Sequence, residues 1–261
     1  MEIRLLGRRL PLSPSAVVDG NIIAYDLTGP ADAPVVVFVH GLAASRGIWQ
    51  GQADRLSDRF RILSYDLRSH GDSDAVEESC SRTDLAADLA GLLDVLGIER
   101  AVVVGHSGGG VVAMQFAVDH SARLLALVLV GTASQCNDKT AAWYEKTANV
   151  AREKGGQAAM RELGLKPDSG PVPDGPTLFH VTMAMRSLNS SPLTEALSGI
   201  TTPTLIIVGE KDFLGAGGSV ILSRTIAGSE LEIVAGRGHG IYLEAPDWFA
   251  DRLADFFDRV L

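Results

Sequence analysis

The sequence predicts an α/β fold, with a mostly parallel central sheet, helices on both faces and a small helical cap. Three observations carry this prediction. Short runs rich in Val, Ile and Leu alternate with longer stretches of helical period, the pattern left by strands joined through crossover helices. Several of those runs are apolar without a break, as strands buried on both faces must be. From about Ala133 to Ile200 the rhythm stops, with helical patterns and no strand-like run, as an inserted segment would produce.

In chain order the predicted strands are Asn21 to Leu27, Val35 to Val39, Phe60 to Tyr65, Ala101 to Val104, Leu125 to Val130, Thr204 to Val208 and Leu231 to Val234. Helices are predicted between and after them at Gly47 to Ser57, Thr83 to Leu96, Gly109 to His120, Gly218 to Ile226 and Pro246 to Val260. Inside the interruption, helical patterns run from Trp143 to Arg152, Gln157 to Leu163 and Thr177 to Leu188, broken by the Pro/Gly-rich Lys166 to Pro176. The expected organisation is a core of residues 1–132 and 201–261 with a helical cap of residues 133–200. No internal repeat and no charge run of five or more points to a solenoid or an interaction tail.

A chain of 261 residues suits one large domain with an insertion. Hydrophobic residues at 46% and charged residues at 21% exclude a disordered or low-complexity protein. Thirty-two acids against 23 bases give a formal charge of −9 with no basic block, which argues against a nucleic-acid partner. The most apolar runs, Pro34 to Val39 and Leu124 to Val130, are too short to cross a bilayer, so no membrane partner is expected. Met1 to Leu10 alternates Arg with Leu and does not read as a secretory signal, making the cytoplasm the expected compartment. The two cysteines, Cys80 and Cys136, lack metal-ligand spacing. Neither a disulfide framework, a metal nor a cofactor is expected.

The strongest local signal is Gly105-His106-Ser107-Gly108-Gly109, which follows an apolar strand and opens a helix. A Ser on so sharp a strand-to-helix turn needs small flanking residues, and its Oγ is presented to the crevice. The loop has neither the Gly-Lys-Ser/Thr of a phosphate cradle nor dinucleotide Gly-x-Gly-x-x-Gly spacing. Partners are expected at the carboxyl ends of neighbouring strands. Gly209-Glu210-Lys211-Asp212 places carboxylates after one strand, and Gly236-Arg237-Gly238-His239-Gly240 places an imidazole after the next. A serine hydroxyl needs a base, so Ser107 is the candidate nucleophile and His239 the candidate proton acceptor. Asp212 is the candidate orienting acid, chosen over Glu210 because Glu210 lies nearer the strand end. An oxyanion needs two preorganised donors. The backbone N–H of Gly108 is one candidate; Leu42, in Val39-His40-Gly41-Leu42-Ala43, is the other, with Ala43 behind it. His40 reads as a structural residue of that loop.

With these motifs in hand, the chain resembles the α/β-hydrolase superfamily, whose Ser, Asp, His order it shares. The resemblance spans nearly the whole length: the His40 loop, the stretch Tyr65 to Ser73, the Ser107 elbow, the Gly209 to Asp212 loop and the His239 loop. Asp66, Arg68, Gly71 and Ser73 match the Asp-x-Arg-Gly-x-Gly-x-Ser segment of relatives, whereas Ser69 stands where they usually have Gly. Gly108 stands where many have Met. The resemblance implies an α/β-hydrolase fold and a serine hydrolase acting on a small-molecule carboxylic ester or lactone. The Gly-His-Ser elbow and the short cap look most like those of small carboxylesterases and 3-oxoadipate enol-lactonases. Carbon-carbon bond hydrolases, cofactor-free perhydrolases and ligand-binding receptors on the same scaffold are the alternatives. Candidate substrate-pocket residues in the cap are Trp143, Met160, Phe179 and Met183, with Met185 beside them.

Overall fold

The structure is a computed structural model that describes residues 4–5, 8–9, 13–75, 78–162 and 175–261. The Pro/Gly-rich break read between Lys166 and Pro176, and the end of the helix read to Leu163, fall largely outside the described residues. Eight strands form one sheet: β1 (Ser15–Val18), β2 (Asn21–Thr28), β3 (Val35–Val39), β4 (Arg61–Tyr65), β5 (Ala101–His106), β6 (Leu124–Val130), β7 (Thr204–Gly209) and β8 (Glu230–Val234). Their order is β8-β7-β6-β5-β3-β4-β2-β1. From β8 to β4 all pairings are parallel, while β2 runs antiparallel to β4 and β1 antiparallel to β2. β1 was not expected from the sequence; it is four residues long and alternates buried with less buried positions, too brief a period to read unaided.

Both faces of the sheet are covered, as the unbroken apolar runs require. Val35, Val37 and Val39 of β3 point into one core, and Val36 and Phe38 into the other. The first core packs α2 (Arg82–Val95) and α3 (Gly108–Asp119) through Leu85, Leu89, Val112 and Phe116. The second packs α1 (Gln50–Leu56) and the last helix. α2 begins with a capping box: Ser81 Oγ accepts from the Asp84 N–H at 3.1 Å and the Ser81 N–H donates to Asp84 Oδ2 at 2.8 Å.

Between β6 and β7 the described residues form four helices: α4 (Asp138–Lys154), α5 (Gly156–Glu162), α6 (Gly175–Arg186) and the one-turn α7 (Thr194–Leu197). After β7 come α8 (Gly217–Thr225), α9 (Ile241–Glu244) and α10 (Pro246–Val260). α10 buries Phe249, Leu253, Phe256 and Phe257, spaced four, three and one apart along a single stripe, with Pro246 in its first turn. From β3 the chain steps to β4 on one side and returns to β5 on the other. That reversal opens a crevice at the strand carboxyl ends, where open α/β sheets hold their ligands. Among the described residues no helix is long and apolar enough to cross a membrane.

Candidate active site

Ser107 follows β5 at the N-terminus of α3 with φ 53 and ψ −119, in the left-handed half of backbone space that serine rarely enters. The turn closes only because its neighbours lack side chains. A Cβ on Gly105 would stand 2.4 Å from the Gly109 carbonyl oxygen, and one on Gly109 would stand 2.3 Å from the Val39 carbonyl oxygen. The Ser107 N–H donates to the Val130 carbonyl at 2.9 Å, and the Ser107 carbonyl accepts from Thr132 Oγ1 at 2.9 Å. The elbow is therefore fastened to the end of β6.

The acid and imidazole loops follow β7 and β8. His239 Nδ1–H donates to Asp212 Oδ2 at 2.8 Å, while Asp212 Oδ1 accepts from the Leu214 N–H at 2.8 Å. Asp212 is buried. Glu210, the competing acid, is turned elsewhere: its Oε2 accepts from the Gly236 N–H at 2.8 Å. Glu244 Oε2 accepts from the Gly238 N–H at 2.8 Å, and His106 Nε2–H donates to the His239 carbonyl at 3.0 Å. Three side chains thus hold the short imidazole loop. Burial, with the His239 ring beside it, keeps His106 well below its ordinary pKa, so it is a neutral strut.

Gly131 joins this pair to the elbow. β5 and β6 pair in register as far as His106 and Val130, so Gly131 comes next to Ser107. A Cβ on Gly131 would stand 3.0 Å from Asp212 Oδ2 and 3.2 Å from His239 Nδ1. Among the described residues no hydrogen bond joins Ser107 Oγ to the imidazole; the two are neighbours through Gly131.

The loop after β3 supplies the other wall. The Ala43 N–H donates to His70 Nε2 at 3.1 Å, so it is spent; the Leu42 N–H has no acceptor among the described residues. A Cβ on Gly108 would stand 3.2 Å from the Leu42 nitrogen, so the two expected oxyanion donors lie side by side. His40 is structural, as the sequence suggests: its Nε2 accepts from the Leu67 N–H at 3.0 Å and its Nδ1–H donates to the Gly41 carbonyl at 2.8 Å. Burial lowers the pKa of His40 to about 4 and that of His70 to about 3. The Asp66 carboxylate ties the segment together, accepting from the backbone of Arg46 and Asp72 and pairing with the Arg46 guanidinium. Ser69, at the position where relatives usually have Gly, has φ 67, the backbone region that glycine enters without strain.

A cavity of about 320 Å³ opens at Ser107, walled by Val111, Thr132, Tyr144, Leu188, Leu214 and Ile221 among others. The structure does not bring Trp143, Met160, Phe179 or Met183 to its lining. The Trp143 ring is 6.3 Å from that of Phe213, whose own ring is 4.6 Å from that of His239. Met160 is buried with Ala43, Ala159 and Leu178, and Phe179 lies under the Arg152 guanidinium at 4.5 Å. Met183 is half-buried on α6. Met185 does reach the site: its sulfur is 3.7 Å from where a Gly108 side chain would begin. Sequence reasoning missed Tyr144, one residue from Trp143, and also Phe213 and Leu214. The last two had a legible signal, as an apolar pair directly after the acid in a polar loop. Among the described residues no group of three or more His, Cys, Asp or Glu side chains is placed to hold a metal ion.

Residues 36–252 match the model of the alpha/beta hydrolase family, and the chain belongs to that family. It is accordingly a hydrolase. Among similar proteins, 3-oxoadipate enol-lactonase 1 of Acinetobacter baylyi is 27% identical over 74% of this chain and 77% of its own. A putative carbamate hydrolase, RutD, of Pantoea ananatis is 29% identical over 88% and 90%. The solved enol-lactonase of Burkholderia xenovorans superposes with a TM-score of 0.81 at 25% identity, over 94% of this chain and 100% of that one. A thermophilic esterase of Thermogutta terrifontis superposes at 0.83 with 24% identity over 96% and 99%, a likeness of fold.

Proposed function

We propose that this hydrolase cleaves a small-molecule carboxylic ester or lactone through an acyl-enzyme on Ser107, with His239 as base and Asp212 as its orienting acid. The observation that carries the reading is the 2.8 Å bond from His239 Nδ1–H to Asp212, held against the glycine beside the serine. That bond fixes the tautomer in which Nε2 is free to take a proton. Ser107 Oγ attacks the carbonyl carbon as its proton passes to Nε2, and the carbonyl electron pair moves onto oxygen. The N–H groups of Leu42 and Gly108 receive that oxyanion, each such donor being worth roughly 2.7 to 4 kcal/mol of barrier. The intermediate collapses, the alcohol leaves with the Nε2 proton, and water repeats the sequence to free the acid. The described helices between β6 and β7 act as the cap, with Tyr144 and Leu188 reaching the cavity wall. The enol-lactonase relatives support a lactone or ester carbonyl. A carbamate carbonyl is open to the same attack, and the relative named for it spans 88% of this chain.

The test is turnover of p-nitrophenyl acetate and butyrate, an enol-lactone and a carbamate by wild type and Ser107→Ala. Many turnovers per molecule, lost in the variant with its melting temperature kept, support the reading. A single stoichiometric burst favours a receptor on this scaffold, and persisting turnover in Ser107→Ala defeats the nucleophile assignment.

A further inference from the structure

Tyr144 is 8% exposed and lines the cavity that begins at Ser107, yet its hydroxyl neither donates to nor accepts from any described residue. The side chain is buried but its hydroxyl oxygen is not sealed off, so it is open to the cavity and free to bond to a water or a ligand that enters. Its neighbours do not supply the partner. The Cys136 thiol is directed to the Arg186 carbonyl at 3.9 Å, and Thr132 Oγ1 is held on the Ser107 carbonyl. The amide oxygens of Gln135 and Asn137 already accept, from Thr194 Oγ1 at 3.1 Å and from the Thr140 N–H at 2.9 Å, leaving their NH₂ groups as donors. The cavity lining thus offers donors in these NH₂ groups and in the hydroxyls of Tyr144 and Thr140. No Lys, Arg, Asp or Glu is among its described lining residues, so none of these pairs with a charged substituent. Its size, about 320 Å³, corresponds to roughly ten water volumes.

We infer that the Tyr144 hydroxyl is a substrate-recognition group that donates a hydrogen bond to an uncharged acceptor, a keto, ether or ester oxygen, on the part of a small substrate that enters this cavity. The inference rests on the reading of Ser107 as the nucleophile and narrows its substrate to a neutral, oxygen-bearing acyl group. Burial and the nearby Cys136 push the phenol pKa well up, so Tyr144 keeps its proton and stays a donor at neutral pH.

The experiment compares three p-nitrophenyl esters of similar acyl length: pentanoate, 4-oxopentanoate and hydrogen glutarate, each corrected for spontaneous hydrolysis. In wild type, kcat/KM should be highest for the keto ester and lowest for the carboxylate-bearing one. Tyr144→Phe should lower kcat/KM for the keto ester by about three- to tenfold, the worth of one neutral hydrogen bond, and leave the pentanoate within about twofold. An unchanged keto ester, an equal loss on the pentanoate, or a preference for the glutarate would overturn the inference. Affinity of intact esters for Ser107→Ala, with and without Tyr144→Phe, measured by calorimetry, separates the two readings. Activity surviving in Ser107→Ala sinks the nucleophile assignment alone. A keto-ester affinity indifferent to Tyr144→Phe sinks the recognition role alone, whether or not any ester turns over.

Discussion

Replacing Asp212 by Asn changes one atom at the centre of the site, and the structure dictates which way the new amide must face. Asp212 Oδ1 accepts from the Leu214 N–H and Oδ2 accepts from His239 Nδ1–H, both at 2.8 Å. If the amide oxygen stays on Leu214, the NH₂ group faces the imidazole, and Nδ1 must lose its proton to accept. Nε2 then carries the hydrogen and has no lone pair for the serine proton. If the amide flips, its NH₂ opposes the Leu214 N–H inside a buried loop, donor against donor. The flip keeps the productive tautomer but leaves two donors opposed in a buried loop, so the first arrangement prevails and the base is lost: kcat for a p-nitrophenyl ester should fall by about 10⁴, as in a serine protease with the same change, or about 5.5 kcal/mol of barrier. Glu210→Gln is the matched control. Its acceptor to the Gly236 N–H survives as an amide oxygen, so kcat should stay within about threefold, the worth of a weakened exposed bond. Steady-state kinetics and thermal melts on both variants decide the matter. A near-normal kcat in Asp212→Asn, or a collapse in Glu210→Gln, refutes the reasoning.

Three further outcomes follow from the same geometry. Gly131→Ala should cut kcat by about ten- to hundredfold, because its Cβ would press Asp212 and His239 at 3.0 and 3.2 Å; an unchanged rate removes Gly131 from the site's assembly. His106→Phe keeps a ring in place but frees the His239 carbonyl, so kcat should fall about tenfold with KM unchanged; a change in KM alone contradicts a positioning role. His40 and His70 are neutral when folded and bind protons near pH 6.5 only when unfolded. The unfolded state thus binds more protons below pH 6.5, and stability falls as pH drops from there toward 4, by about 1.4 kcal/mol per pH unit for each ring. Urea unfolding between pH 7 and 5 should show this slope, lessened in His70→Gln, and a flat profile would be contrary to it.

Much of the site was legible because its chemistry is tied to strand ends. Unbroken apolar runs located β3 and β5 to β7, and residues just past them had to lie on the crevice. The spacing of Glu210 and Asp212 also carried real information, since a residue nearer the strand end is carried toward the β8 loop and braces Gly236 instead. The cap was less legible. Helix α4 packs on α6 along one side and over the core along another, so the apolar period alone does not distinguish Trp143 from Tyr144 as the residue facing the cavity. Met160 shows the same ambiguity, its burial serving a small cluster with Ala43 and Leu178. The bracing of the imidazole loop by His106 had no local signal, because that contact joins segments 133 residues apart, whereas Glu244 lies only six residues beyond the Gly238 N–H it accepts from.

The central claim is that an acyl group resides on Ser107 during turnover. Wild type mixed with a p-nitrophenyl ester, quenched in acid within the first turnovers and digested, should yield one acylated peptide, the one containing Ser107. A fluorophosphonate should label that same serine and be excluded by excess ester. Acylation or labelling at Ser45 or Ser73, or full ester turnover with Ser107 unmodified and replaceable by alanine, would contradict the account.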